Sequence, residues 1–85
     1  MKTREEIEKI VCDGVIETFD LKEDINDKNI SFKQDLDADS IDMVSLSLVL
    51  EEEFNADIEE DQLKNFITIN NVIDYIVERQ TQEAT

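Results

Sequence analysis

Ile69, Val72, Ile73, Ile76 and Val77 recur at i, i+3, i+4, i+7 and i+8, the spacing of one face of an α-helix. The period-of-two alternation that a half-buried strand requires is confined to short runs such as residues 44–48 and 54–58. Proline is absent and there is one glycine, so helix boundaries must be read from caps and periodicity rather than from breakers. These features predict an all-α fold.

Thr3 and Glu6 form a capping-box pattern that starts a first helix. Ile7, Ile10, Val11 and Gly14 follow as its stripe, with Val15, Ile16 and Phe19 apolar but off it, and the helix is expected to end near Phe19. Residues 20–38 are polar and aperiodic, rich in Asp, Asn and Ser that favour turns. Leu21, Ile25, Ile30, Phe32 and Leu36 are expected to pin this long loop to the core. A second helix is expected from Ser40 to Phe54, with Asp39 as its N-cap, Asp42 completing a box, and Asn55 as its stop. A short helical turn around Glu59–Asn65 and a last helix after the cap Thr68 complete a small bundle of three main helices and one short one. Thr81–Thr85 reads as a frayed tail beyond a core of about residues 3–80.

Eighty-five residues make one small domain, taken here as 1–85. Eight basic against 23 acidic side chains give a net charge of −15, which argues against nucleic acid and against anionic membrane surfaces as partners. Histidine is absent and Cys12 is the sole cysteine, which removes His-dependent nucleophilic machinery, His-containing or multi-Cys metal sites and any internal disulfide. A lone thiol and no signal-peptide apolar stretch suggest a cytoplasmic protein, and no apolar run is long enough to span a bilayer. A module that binds or carries is favoured over an enzyme.

At about 100° per residue, the second helix has two apolar stripes. Leu46, Leu50, Met43 and Phe54 form one, and the bulk of its Leu and Phe side chains assigns it to the core. Ile41, Val44 and Leu48 form another on roughly the opposite side, with Ser45 and Glu52 beside them. A small bundle buries one such stripe. The second is then an apolar patch with an acidic rim, as at a partner-docking surface, unless the loop 20–38 covers it.

Asp35-Leu36-Asp37-Ala38-Asp39-Ser40-Ile41-Asp42 runs into this helix, which ends Leu50-Glu51-Glu52-Glu53-Phe54. Here the sequence resembles the acyl carrier proteins, whose second helix opens with Asp-Ser-Leu and ends Leu-Glu-Glu-Glu-Phe. Ile73-Asp74-Tyr75-Ile76 and the opening amphipathic helix extend the resemblance over roughly residues 3–80. It implies a 4′-phosphopantetheine arm on Ser40, installed from coenzyme A by a phosphopantetheinyl transferase and carrying acyl groups as thioesters. It implies further that Asp39 helps present the serine to the transferase. Acyl-processing enzymes with basic patches would dock on Ile41, Val44, Ser45, Leu48, Glu51 and Glu52, the carrier acting as a monomer. An N-cap at Asp39 places Ser40 at the helix entrance, where the helix dipole favours an attached phosphate.

Several positions depart from the family pattern. Ile41 replaces the usual Leu, Asp37 a common Gly, and Ser45 a frequent acid. The first loop is longer, and the usual Pro before the third helix is missing. These favour a specialised carrier, for polyketide or aminoacyl groups, beside the fatty-acid type that free-standing size and acidity favour. An acidic interaction module without the arm, or an acidic mimic of DNA, stays open. Asp35, Asp37 and Asp39 match the opening of an EF-hand loop, but Ser40 and Leu46 stand where it needs Gly and Glu, so no metal site is assigned. Cys12 reads as a small core residue.

Overall fold

Thr3 Oγ1 accepts the N–H of Glu6 at 3.2 Å, and the Glu6 carboxylate accepts the N–H of Thr3 at the same distance. This reciprocal cap starts α1 (Arg4–Phe19) in the computed structural model, which describes residues 2–83 and the side chains of residues 2–80. The helix stops at Asp20, whose backbone turns left-handed at φ 52°. The Leu21 N–H then donates to the Ile16 carbonyl at 3.0 Å, satisfying a carbonyl that the helix leaves open. The remaining elements are α2 (Ser40–Phe54), α3 (Glu60–Leu63) and α4 (Ile69–Glu83). Thr68 begins α4 as expected, exchanging hydrogen bonds with Asn71. The helix continues to Glu83, past the boundary at Thr81 where a frayed tail was expected, and residues 84 and 85 lie outside the described residues.

α1 packs against both α2 and α4, and the short α3 lies on α2. Ile7, Val11 and Val15 of α1, Leu46 and Leu50 of α2, and Ile69, Val72, Ile73 and Ile76 of α4 form the centre of the core. Val15 therefore corrects the sequence reading. It belongs to the buried face, whereas Ile10 is only half-buried, because the α1 stripe is turned toward Cys12 and Val15. The glycine of α1 marks a close helix contact. A Cβ on Gly14 would lie 3.4 Å from Val49 Cγ1 and 3.7 Å from Leu50 Cδ2.

The loop between α1 and α2 is held from two sides. Phe32 is buried and stacks on Phe19 with ring centroids 6.1 Å apart. The Phe32 N–H donates to the Ile67 carbonyl at 3.0 Å, and the Ile69 N–H donates to the Ile30 carbonyl at 3.3 Å. These two bonds flank an isolated antiparallel bridge between Ser31 and Thr68. The Asn70 N–H adds a bond to the Lys28 carbonyl at 2.8 Å. Elsewhere, Arg4 ties α1 to α4 through Asp74 at 2.9 Å, and Arg79 of α4 reaches the Asp57 carbonyl and the Tyr75 hydroxyl. No helix among the described residues is long and apolar enough to cross a membrane.

Candidate functional site

The segment ahead of α2 is shaped by its own side chains. Asp35 Oδ2 accepts the Ser31 N–H at 2.7 Å, while the Ser31 carbonyl accepts the N–H of Asp35 at 2.9 Å. This turn ends at Asp37, which adopts a left-handed φ of 53°. Asp37 stands where glycine is common in the resembling family, and its backbone adopts a conformation that glycine favours and Asp tolerates better than most side chains. The Ala38 N–H then closes the loop on the Phe32 carbonyl at 2.9 Å.

Asp39 and Asp42 cap α2 as the sequence predicts. Asp39 Oδ1 accepts the Asp42 N–H at 2.8 Å, and Asp42 Oδ2 accepts the Asp39 N–H at 3.1 Å. Ser40 is thereby the first residue of the helix, and it is exposed. It helps line a cavity of about 750 Å³ between the head of α2, the loop ahead of it, and α3 with its following turn. Met43 and Val44 of α2 form one wall, Phe32, Lys33 and Ala38 a second, and Glu60, Leu63, Lys64, Phe66 and Ile67 a third.

The two stripes of α2 separate as expected. Leu46 and Leu50 are fully buried, Met43 is half-buried, and Phe54 is half-buried rather than central. Ile41 is 75% exposed, Leu48 60% and Val44 38%, so the loop 20–38 does not cover the outer stripe. Ser45 and Glu52 are exposed beside it and Glu51 is half-buried. Leu48, Glu51 and Glu52 share a shallow depression with Asn55, Ala56 and Asp57, so these acids sit nearer the far end of α2 than Ser40.

Sequence reasoning missed the third wall of the cavity. Ile67 is 62% exposed, and its signal was an apolar residue directly before the Thr68 cap. Lys33 and Lys64 gave no signal, since single lysines in polar segments look like ordinary surface. Ser47 was missed too. It is buried among the core residues of α2, where its hydroxyl donates to the Val44 carbonyl at 2.7 Å.

Cys12 lines a separate depression with residues of α1 and the first loop. Burial pushes its thiol up from the ordinary cysteine range, so it is a poor nucleophile. Among the described residues, no three His, Cys, Asp or Glu side chains gather in a metal-binding arrangement. Asp35 and Asp39, two of the three acids with EF-hand spacing, hold backbone N–H groups.

The profile of the phosphopantetheine attachment site family matches residues 9–76. The chain is 38% identical to the acyl carrier protein of Lactobacillus johnsonii over 78 residues, covering 92% of this chain and 98% of the relative. The chain belongs to the acyl carrier protein family. The acyl carrier protein of Porphyromonas gingivalis is 39% identical over 71 residues, covering 84% of this chain and 91% of that one. That of Rubrobacter xylanophilus is 35% identical over 78 residues, covering 92% and 96%. An acyl carrier protein is a carrier rather than an enzyme, and its cofactor is 4′-phosphopantetheine. Membership implies interaction with a phosphopantetheinyl transferase and with acyl-processing enzymes. The residues present suit this cofactor: an exposed serine at a helix start adjoins a cavity whose lining includes Phe32, Met43, Val44, Leu63 and Phe66.

Proposed function

We propose that Ser40 carries the 4′-phosphopantetheine arm and that the chain, a single monomeric carrier domain in the cytoplasm, serves fatty-acid biosynthesis. The arm supplies a thiol on which acyl groups ride as thioesters. The observation that carries the reading is the exposed Ser40 at the capped start of α2, beside the cavity under α3. Asp39 supports this by fixing the helix start with one carboxylate oxygen, so that the Ser40 backbone is held in position for a transferase. The orphan N–H groups of the first turn favour the negative charge of an attached phosphate.

Ile41, Val44 and Leu48, rimmed by Glu51 and Glu52, are the docking face of this reading. An apolar centre buries area against a partner, while the acids attract Arg and Lys and set the rate of encounter. Met43, Leu63 and Phe66 give the cavity apolar surface that can shield part of an acyl chain from water. The lone buried thiol of Cys12 fits a reducing compartment.

Intact-mass measurement tests the attachment site. Incubated with a broad-specificity phosphopantetheinyl transferase and coenzyme A, the protein gains one phosphopantetheine, and Ser40→Ala gains none. Modification that persists in Ser40→Ala overturns the assignment.

A further inference from the structure

Lys33 and Lys64 join Ser40 in the cavity lining from two different segments of the chain. Lys33 follows the buried Phe32 in the loop ahead of α2, and Lys64 is the residue that ends α3. They are two of only eight basic residues in a chain of net charge −15. Both are exposed, and among the described residues neither has an ion-pair partner. Their ionic neighbours in the lining are Asp39 and Glu60, so the cavity rim is balanced in charge while the whole molecule is strongly acidic. Asp39 already spends one carboxylate oxygen on the Asp42 N–H.

We infer that Lys33 and Lys64 are positioning residues for the arm, pairing with its phosphodiester and holding it along the cavity. The inference rests on the attachment of that arm to Ser40. A phosphodiester on the Ser40 hydroxyl brings a permanent negative charge to a cavity that the attachment residue shares with two ammonium groups that have no ion-pair partner among the described residues. A lysine head on a flexible four-carbon stem is a mobile point charge, suited to following a phosphate that moves with its serine. The two come from different walls, so together they favour an arm laid between the walls over one that extends from the surface. An acyl chain on the arm then starts beside Met43, Leu63 and Phe66.

The test uses protein loaded with an octanoyl-phosphopantetheine arm by a broad-specificity transferase from octanoyl-coenzyme A, and compares Lys33→Met/Lys64→Met with Lys9→Met/Lys22→Met, which makes the same change in net charge. All four positions are exposed. Two readings are taken: the phosphorus-31 resonance of the phosphodiester, and the rate at which hydroxylamine cleaves the thioester. In Lys33→Met/Lys64→Met the resonance shifts and cleavage speeds up about threefold, the scale of exposed ion pairs. In Lys9→Met/Lys22→Met both match wild type, and Lys33→Arg/Lys64→Arg restores both. A wild-type resonance and cleavage rate in Lys33→Met/Lys64→Met, or the same changes in both Met pairs, overturns the role of the lysines and leaves the attachment at Ser40 standing. A protein that takes up no arm at Ser40 overturns both.

Discussion

Leu48 and Leu50 stand two residues apart on α2, yet Leu48 is 60% exposed and Leu50 fully buried. One step of two residues turns a helix by about 200°, so the two leucines face opposite ways. The same residue type thus serves two ends within half a turn, holding the bundle together at Leu50 and, in the proposed docking face, offering surface to a partner at Leu48.

Truncation separates these ends. Leu50→Ala leaves a cavity in the core and costs about 2–5 kcal/mol. Val44→Ala, at the edge of the outer stripe, costs well under that but slows transfer of the arm or partner-dependent acyl loading. Melting temperature and loading rate are measured on both variants. Strong destabilisation by Val44→Ala, with loading of the folded fraction unchanged, overturns the assignment of the outer stripe.

Gly14 gives a second prediction about packing. The space at this position accepts a methyl group in ordinary contact with Val49, and alanine favours the helix by about 0.5–1 kcal/mol over glycine. Gly14→Ala is therefore neutral or stabilising in chemical denaturation. Gly14→Leu forces α1 and α2 apart and destabilises by about 1–3 kcal/mol.

The cap of α1 makes stability depend on acid. The Thr3 N–H, the largest influence on the Glu6 carboxyl, holds it below the ordinary glutamate range. A carboxyl whose folded-state pKa is lowered contributes stability above its unfolded value and loses that contribution as pH falls through the folded one. The advantage of wild type over Glu6→Gln is thus full near neutrality and shrinks below the ordinary glutamate range. Melting curves across that range check it, and an advantage that grows on acidification contradicts it.

Self-repulsion at −15 should yield to screening. Melting temperature rises between low and moderate salt, with divalent cations more effective at equal ionic strength. A flat response argues against charge as a burden on this fold.

Cys12 should resist a thiol reagent at neutral pH until the chain unfolds, because the thiol is buried and its pKa is raised. Reaction at the rate of a free thiol in the folded protein would show that α1 opens readily around it.

Much of this architecture is legible in local chemistry. Thr3 with Glu6, Asp39 with Asp42, and Asn55 mark helix ends through bonds made within four residues, so the linear sequence contains both partners. The two stripes of α2 are readable because periodicity alone sorts Leu50 from Leu48. The cavity wall from Glu60 to Ile67 is different. It meets Ser40 only through the packing of α3 on α2 and the bonding of Phe32 to Ile67, contacts between distant stretches with no local signature. Val15 was misplaced for a related reason. The direction of a helix's buried face depends on its neighbours, and α1 serves two of them.

The bridge between Ser31 and Thr68 distributes mechanical compliance around the cavity. Two backbone bonds stitch the Lys33 wall to the start of α4, making that edge stiff. α3 has four residues, no side-chain cap and no fully buried residue. A guest too large for the cavity is therefore expected to displace α3 before the seam between Phe32 and Ile67.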